Sequence, residues 1–337
     1  MPQRVGRYTI NLPSRPVIIG NAAVVGKKEG EGPLAEEFDH IFDDTTMGEA
    51  SWEKAESAIQ REAVTRAISK AGIGTADVDM IFAGDLLNQC IGTTFSLREL
   101  NIPLAGLYGA CSTMALSLAL GSLMTDSGAL GTCVATTSSH FCSAERQFRY
   151  PLEYGGQRPP AAQWTATASG AAVIKNQGEG PHIDAVTIGR IQDMGIKDAN
   201  NMGAAMAPAA AETIADFLND TNTKPEDYDI ILTGDLGAIG STLLKQLLEK
   251  DKNIDISAVH KDGGLMIYDI DKQDVNSGGS GCGCSGAIVC SYILNRLRSG
   301  ELKKVLFVGT GALMSSTSSK QGESIPAIAH AVLLSCQ

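Results

Sequence analysis

The stretch DVDMIFAGDLLNQ, residues 77–89, returns as DYDIILTGDLGAI, residues 227–239, with six of thirteen positions identical at a constant spacing of 150 residues. A repeat over that distance signals an internal duplication. Each copy is a short apolar run closed by Gly-Asp, the pattern of a buried strand that ends in a turn. The likeness continues outward. After the first copy, GACS (109–112) opens an apolar segment and TCVATTSS (132–139) follows; after the second, GCGCS (281–285) leads to SYILNRLRSG (291–300) and VLFVGTGA (305–312). Ahead of the first copy, Ser51 stands as the N-cap of a helix running to about Lys70. Trp52, Ala55, Ile59, Ala63, Ala67 and Ile68 recur there at helical spacing, and Gly72 supplies the stop. Ahead of the second, AAMAPAAAETIADFLND (204–220) is the helical counterpart.

Each half therefore reads strand, helix, strand, helix, strand. The helix after Cys111 is apolar on most faces (Met114, Leu116, Leu118, Leu120, Leu123, Met124), as a helix held between two sheets must be. This predicts an α/β chain of five layers, α-β-α-β-α, built by duplication. Residues 1–175 form an N-terminal half that carries the Cys111 turn and a loop over 138–165, and residues 176–337 form a C-terminal half.

A chain of 337 residues, 43% of them hydrophobic, has ample material for a core and is no candidate for disorder. Its net charge of −11 argues against nucleic acid or an anionic membrane as a charge-driven partner. The eight cysteines show no CxxC pair or regular disulfide spacing, which suits a reducing compartment. Cys282 and Cys284 lack partners at zinc spacing, and DIDKQDVNSG (269–278) lacks the length and closing Glu of a calcium loop, so no metal or other cofactor is expected and a solvated hairpin is. The N-terminus has no apolar signal core. Residues 101–125 are uncharged, but Pro103, Gly106, Gly109 and Gly121 break the run, so no direct membrane span is expected.

Cys111 is the leading functional candidate. Gly109 and Ala110 allow a tight reversal, and a helix starting at Ser112 and Thr113 directs N–H groups and a positive dipole end at the sulfur, which favours a thiolate. The competing expectation is a buried cysteine acting as a small hydrophobe.

A duplicated α/β chain with a cysteine at a strand-to-helix turn resembles the thiolase and ketoacyl synthase superfamily. Within it, AGDLLNQ (83–89), YGACSTM (108–114), TSSHFCSAERQFRYPLEYGGQ (137–157), MAPAAAETI (206–214), DYDIILTGDLG (227–237), GGSGCGCS (278–285) and ESIPAIAH (323–330) resemble the stage V sporulation protein AD family across nearly the whole chain. That resemblance implies a thiolase-like protein of endospore formers that binds dipicolinic acid, pyridine-2,6-dicarboxylate. It implies further that the protein works with other stage V sporulation A channel proteins, from the cytoplasmic or forespore side of the spore inner membrane, to move that compound into the spore. The superfamily implies a homodimer, expected through the strand near Cys133 to Thr137.

Superfamily enzymes pair the nucleophilic cysteine with His and Asn, a second His, or a second Cys. Here the second-half turn offers Ser280 where a synthase carries Asn or His, and His260 in AVHKDGG stands near a synthase histidine. Loss of these partners favours a binding pocket inherited from an enzyme; an acyltransferase or thiolase-type enzyme using Cys111 is the alternative, and an interaction scaffold a third.

A flat dicarboxylate calls for cationic forks or fixed donors around an apolar slot. AERQFRYPLEYGGQR (144–158) supplies Arg146, Arg149 and Arg158 among Phe148, Tyr150 and Tyr154, though the same residues suit a subunit interface. His140 begins that loop, within possible reach of a ligand carboxylate or the Cys111 sulfur. His330 lies on the strand equivalent to the Gly170 region, and Asp262 sits in a turn where it would orient a histidine or a ring nitrogen. The expected ligand-binding set is Cys111, His140, Arg146, Arg149, His260, Asp262, Ser280 and His330. Asp85 and Asp235 end equivalent strands and are expected to cap the turns that follow.

Overall fold

The computed structural model describes residues 1–148 and 156–336. Ten strands make the frame: β1 (Val17–Val25), β2 (Met80–Gly84), β3 (Leu104–Gly106), β4 (Thr132–Ser139), β5 (Ala168–Lys175), β6 (His182–Thr187), β7 (Ile230–Thr233), β8 (His260–Asp262), β9 (Lys304–Ala312) and β10 (Ala327–Ser335). Six helices matter to the site: α1 (Trp52–Lys70), α2 (Thr113–Asp126), α3 (Phe141–Phe148), α4 (Met202–Thr221), α5 (Gly237–Leu247) and α6 (Cys282–Ile288). The Ser51 hydroxyl caps α1 by accepting from the Lys54 N–H, as its sequence predicts.

The strand order is β8-β7-β9-β10-β6-β1-β5-β4-β2-β3, and its two ends mirror each other. In the first half β2 lies parallel to β3 and β4, β4 runs antiparallel to β5, and β5 antiparallel to β1. In the second, β7 lies parallel to β8 and β9, β9 runs antiparallel to β10, and β10 antiparallel to β6. The duplication detected at 77–89 and 227–239 is thus a repeat of topology. The halves join where Val17 of β1 pairs with His182 of β6.

Alternating side chains sort into three cores. Ile81, Ala83, Val134, Ala171 and Val173 face outward onto α1 residues Ile59, Ala63 and Ala67. Ile231, Leu306, Val308, Ala329 and Ala331 face outward onto Met206, Ala210 and Ile214 of α4. The alternate residues Phe82, Cys133, Ala135, Ile174, Leu232, Val305, Phe307 and Val332 turn inward and share one cluster with Met114 and Leu118 of α2 and Ala287 and Ile288 of α6. Period-two burial on both strand sets, with α2 and α6 between them, gives the expected five layers.

Three expectations need correction. β4, expected to pair with a second copy, has both edges taken by β2 and β5; in this half the open edge belongs to β3, bonded to β2 alone among the described residues, as β8 is the open edge of the other half. The loop expected over 138–165 begins as helix α3. Residues 269–278 form turns and no hairpin, with Asp269 paired to Lys272 at 2.8 Å.

The middle layer closes through glycine. A Cβ on Gly170 of β5 would stand 2.1 Å from the Gly286 carbonyl oxygen of α6, and one on Gly311 of β9 would stand 2.2 Å from the Gly109 carbonyl oxygen. Backbone meets backbone at both points, so neither has a flexible side chain that yields. Gly170→Ala is expected to cost about 3 kcal/mol or more in urea unfolding. Gly106→Ala on β3, where a Cβ meets nothing within 4 Å, is expected to stay within about 0.5 kcal/mol of wild type.

Candidate functional site

Cys111 lies in a single tight turn, Ala110–Ser112, that leads directly into α2. Ala110 carries φ of +50°, a conformation uncommon for a residue with a Cβ, and so holds local strain at this turn. The Ser112 hydroxyl donates to the Gly109 carbonyl at 2.6 Å, and the Thr113 hydroxyl donates to the Ala110 carbonyl at 2.7 Å. The Ser112 and Thr113 N–H groups close the turn onto Gly109 and Ala110, so neither remains for a ligand.

The surroundings of Cys111 work against the expected activation of its thiol. Burial drives the Cys111 thiol well above its ordinary pKa, and the nearby Asp235 carboxyl pushes the same way. Cys282 and Cys284 are raised as well, first by burial and then by neighbouring thiols and carboxyls.

Asp235 belongs to the site, contrary to the expectation that it merely mirrors Asp85. Asp85 accepts from the Leu87 N–H at 2.8 Å and the Thr93 N–H at 2.6 Å, so it does cap its own turn. In the second half that duty falls to Asp262, which accepts from the Leu236 and Gly237 N–H groups at 2.8 and 2.9 Å and from the Thr233 hydroxyl at 2.6 Å. Asp235 is released to accept from the Gly281 N–H and the Thr310 hydroxyl, each at 2.8 Å, and from Ser280 at 3.3 Å. No local motif signals this, because its partners come from a distant turn and strand.

Of the expected residues within the described part of the chain, Cys111 and Ser280 come together at the site, while His260 and Asp262 meet elsewhere on the Thr233 hydroxyl. Cys111 and Ser280 line one chamber with Leu86, Tyr108, Ala144, Phe148, Thr165, Met202 and Met314. Ser280 is carried there by the short parallel pairing of Gly279–Ser280 with Trp164–Thr165. The chamber, open on one side, leaves about 30 Å³ free, room for a water or two. His140 is buried outside the lining, its Nε2 on the Thr45 carbonyl at 2.8 Å and its Nδ1 accepting from the Cys142 N–H. His260 meets the Thr233 hydroxyl at 2.9 Å, and burial pushes it down to about 4. His330 accepts from the Gly189 N–H at 3.2 Å and is likewise pushed down to about 4 by burial. Arg146 is ion-paired with Glu53, lies over Trp52, and borders a separate surface groove. Arg158 pairs with Glu145 at 3.0 Å and sits over Phe141 and Trp164. Arg149, Tyr150 and Tyr154 lie outside the described residues.

The buried carboxyls have a measurable signature. Burial raises Asp235 to about 6 and Asp262 to about 7. A folded-state pKa above the unfolded one adds stability below the unfolded value, and that stability is lost as pH rises through the folded one. The stability difference between wild type and Asp262→Asn is therefore expected to shrink by a few kcal/mol as pH rises from about 4 to about 7, measured by urea unfolding. A difference independent of pH would refute the assignment.

The sequence profile of the family described as Stage V sporulation protein AD (SpoVAD) matches residues 6–335. The Stage V sporulation protein AD of Bacillus subtilis (strain 168) is 44% identical over 319 residues, covering 94% of each chain. Among solved structures, OleA of Xanthomonas campestris aligns with a TM-score of 0.60 at 12% identity, over 98% of this chain and 100% of that one. An acetyl-CoA acetyltransferase from Syntrophomonas wolfei aligns with a TM-score of 0.55 at 14% identity, over 95% and 98%. The 3-oxoacyl-(acyl carrier protein) synthase III of Pseudomonas aeruginosa PAO1 aligns at 0.55 and 13%, over 96% and 98%. These structural likenesses establish a thiolase-like fold, and the sequence match establishes that the chain belongs to the stage V sporulation protein AD family.

Proposed function

We propose that this sporulation protein binds dipicolinic acid without chemistry, in the chamber at Cys111, for uptake into the developing spore. The observation that carries this reading is the lining of the chamber, where the described residues beside Cys111 include no histidine or asparagine. A condensing enzyme needs a thiolate and a proton acceptor. Here burial and the nearby Asp235 carboxyl disfavour the thiolate, and the aliphatic, thioether, aromatic and hydroxyl side chains that line the chamber supply no imidazole or amide to move a proton. Leu86, Phe148, Met202 and Met314 offer apolar walls to a pyridine ring, and the Ser280, Thr165 and Tyr108 hydroxyls offer hydrogen bonds to carboxylates. Channel proteins of the same sporulation stage are the proposed partners, and they hold the chain at the spore inner membrane. Among the described residues no helix is long and apolar enough to cross a membrane.

Titration calorimetry is expected to register heat with dipicolinate. Cys111→Ser should bind within a few-fold of wild type, and Ser280→Ala about fivefold more weakly, the worth of one hydrogen bond near 1 kcal/mol. No heat from the wild type, or an acyl adduct on Cys111 after incubation with acyl-coenzyme A detected by mass spectrometry, would sink the proposal. A homodimer is proposed through the open edge of β3, where Leu104 is exposed. Gel filtration is expected to give twice the monomer mass, and Leu104→Pro to reduce it to one.

A further inference from the structure

The chamber at Cys111 is smaller than any ring-bearing ligand, so something in its wall has to move. Beside it lies an open vestibule of about 340 Å³ lined by Asn88, Gln89, Tyr108, Leu313, Met314, Ser315 and Ser318. The two spaces share two residues, Tyr108 and Met314. We propose that these two side chains form a gate that decides by shape what reaches Cys111, admitting flat, narrow molecules and refusing bulky ones.

Their surroundings suit that task. Tyr108 is 44% exposed and Met314 only 4%, so one leaf of the gate is wet and the other packed. The backbone under Met314 is held on both sides. Leu313 donates to the Pro326 carbonyl at 2.7 Å, Met314 to the Ala312 carbonyl at 2.9 Å, and the Ser315 hydroxyl caps the following turn through the Ser318 N–H at 3.0 Å. Motion is left to the side chain, and an unbranched thioether swings at little cost. The facing rim is fixed too: Gln89 and Cys90 hold consecutive φ values of +57° and +52°, strain that persists only where the surroundings impose it. Amides, hydroxyls and the apolar Leu313 and Met314 line the vestibule, with no charged residue among the described lining, so its selection is by width more than by charge. The inference rests on the proposed function for the identity of the ligand, but the gate itself is tested without that ligand.

Cys111, 5% exposed, is the reporter. The full-length protein is treated at alkaline pH with methyl methanethiosulfonate, which is small, or with pyrene maleimide, which is bulky, and labelling is mapped by peptide mass spectrometry. Met314→Ala and Tyr108→Ala are expected to speed pyrene maleimide at Cys111 by an order of magnitude or more, and to leave the small reagent within a few-fold. Met202→Ala widens the chamber behind the gate and is expected to leave the bulky reagent at the wild-type rate. Fully buried Cys133 and Cys290 monitor the fold; if they label in Met314→Ala, Tyr108→Ala decides. Unchanged pyrene maleimide rates in the deciding variants, an equal gain in Met202→Ala, or rapid bulky labelling of wild type overturns the gate. Absence of dipicolinate heat alongside the expected labelling pattern would remove the proposed ligand and leave the gate standing.

Discussion

The approach of α6 to β5 through Gly170 and Gly286 brings a helix backbone against a strand backbone with no side chain between them. This contact sets the thickness of the middle layer. Because α6 follows the Gly281 turn, seating it on the first half also fixes where Ser280 and the Gly281 N–H lie. The matching approach of Gly311 to Gly109 seats the Cys111 turn against the second half. The chamber is therefore a product of two glycine contacts that cross between the halves.

Burial then decides the chemistry. Asp235 and Cys111 are both withdrawn from water, and burial first and the neighbouring carboxyl second disfavour the thiolate. The same withdrawal raises Glu56 and Asp85 behind the Leu86 wall, where Glu56 is held by Ser143 at 2.6 Å.

Much of the frame was legible in advance. The repeat at 77–89 and 227–239, the Ser51 cap and the apolar helix after Cys111 depend on neighbours in sequence, and each has its counterpart in the structure. The site was much less so. His140, His260 and His330 looked available by residue type, yet each is engaged by a backbone group or hydroxyl that no spacing reveals. Asp262 looked like a site residue and serves as a cap, whereas Asp235 looked like a cap and faces Cys111.

By itself, then, the sequence determined the duplication, the layered α/β class, the position of Cys111 at a turn and membership of a sporulation family, because strand and helix periods and long ordered matches are carried along the chain. Only the tertiary structure decided that Cys111 is buried near Asp235, that β3 and not β4 is the open edge of the first half, and that Tyr108 and Met314 line both the chamber and the vestibule. The reason is physical: a pKa, a free sheet edge and a narrow passage are properties of groups far apart in sequence, and they exist once folding has removed water from between them.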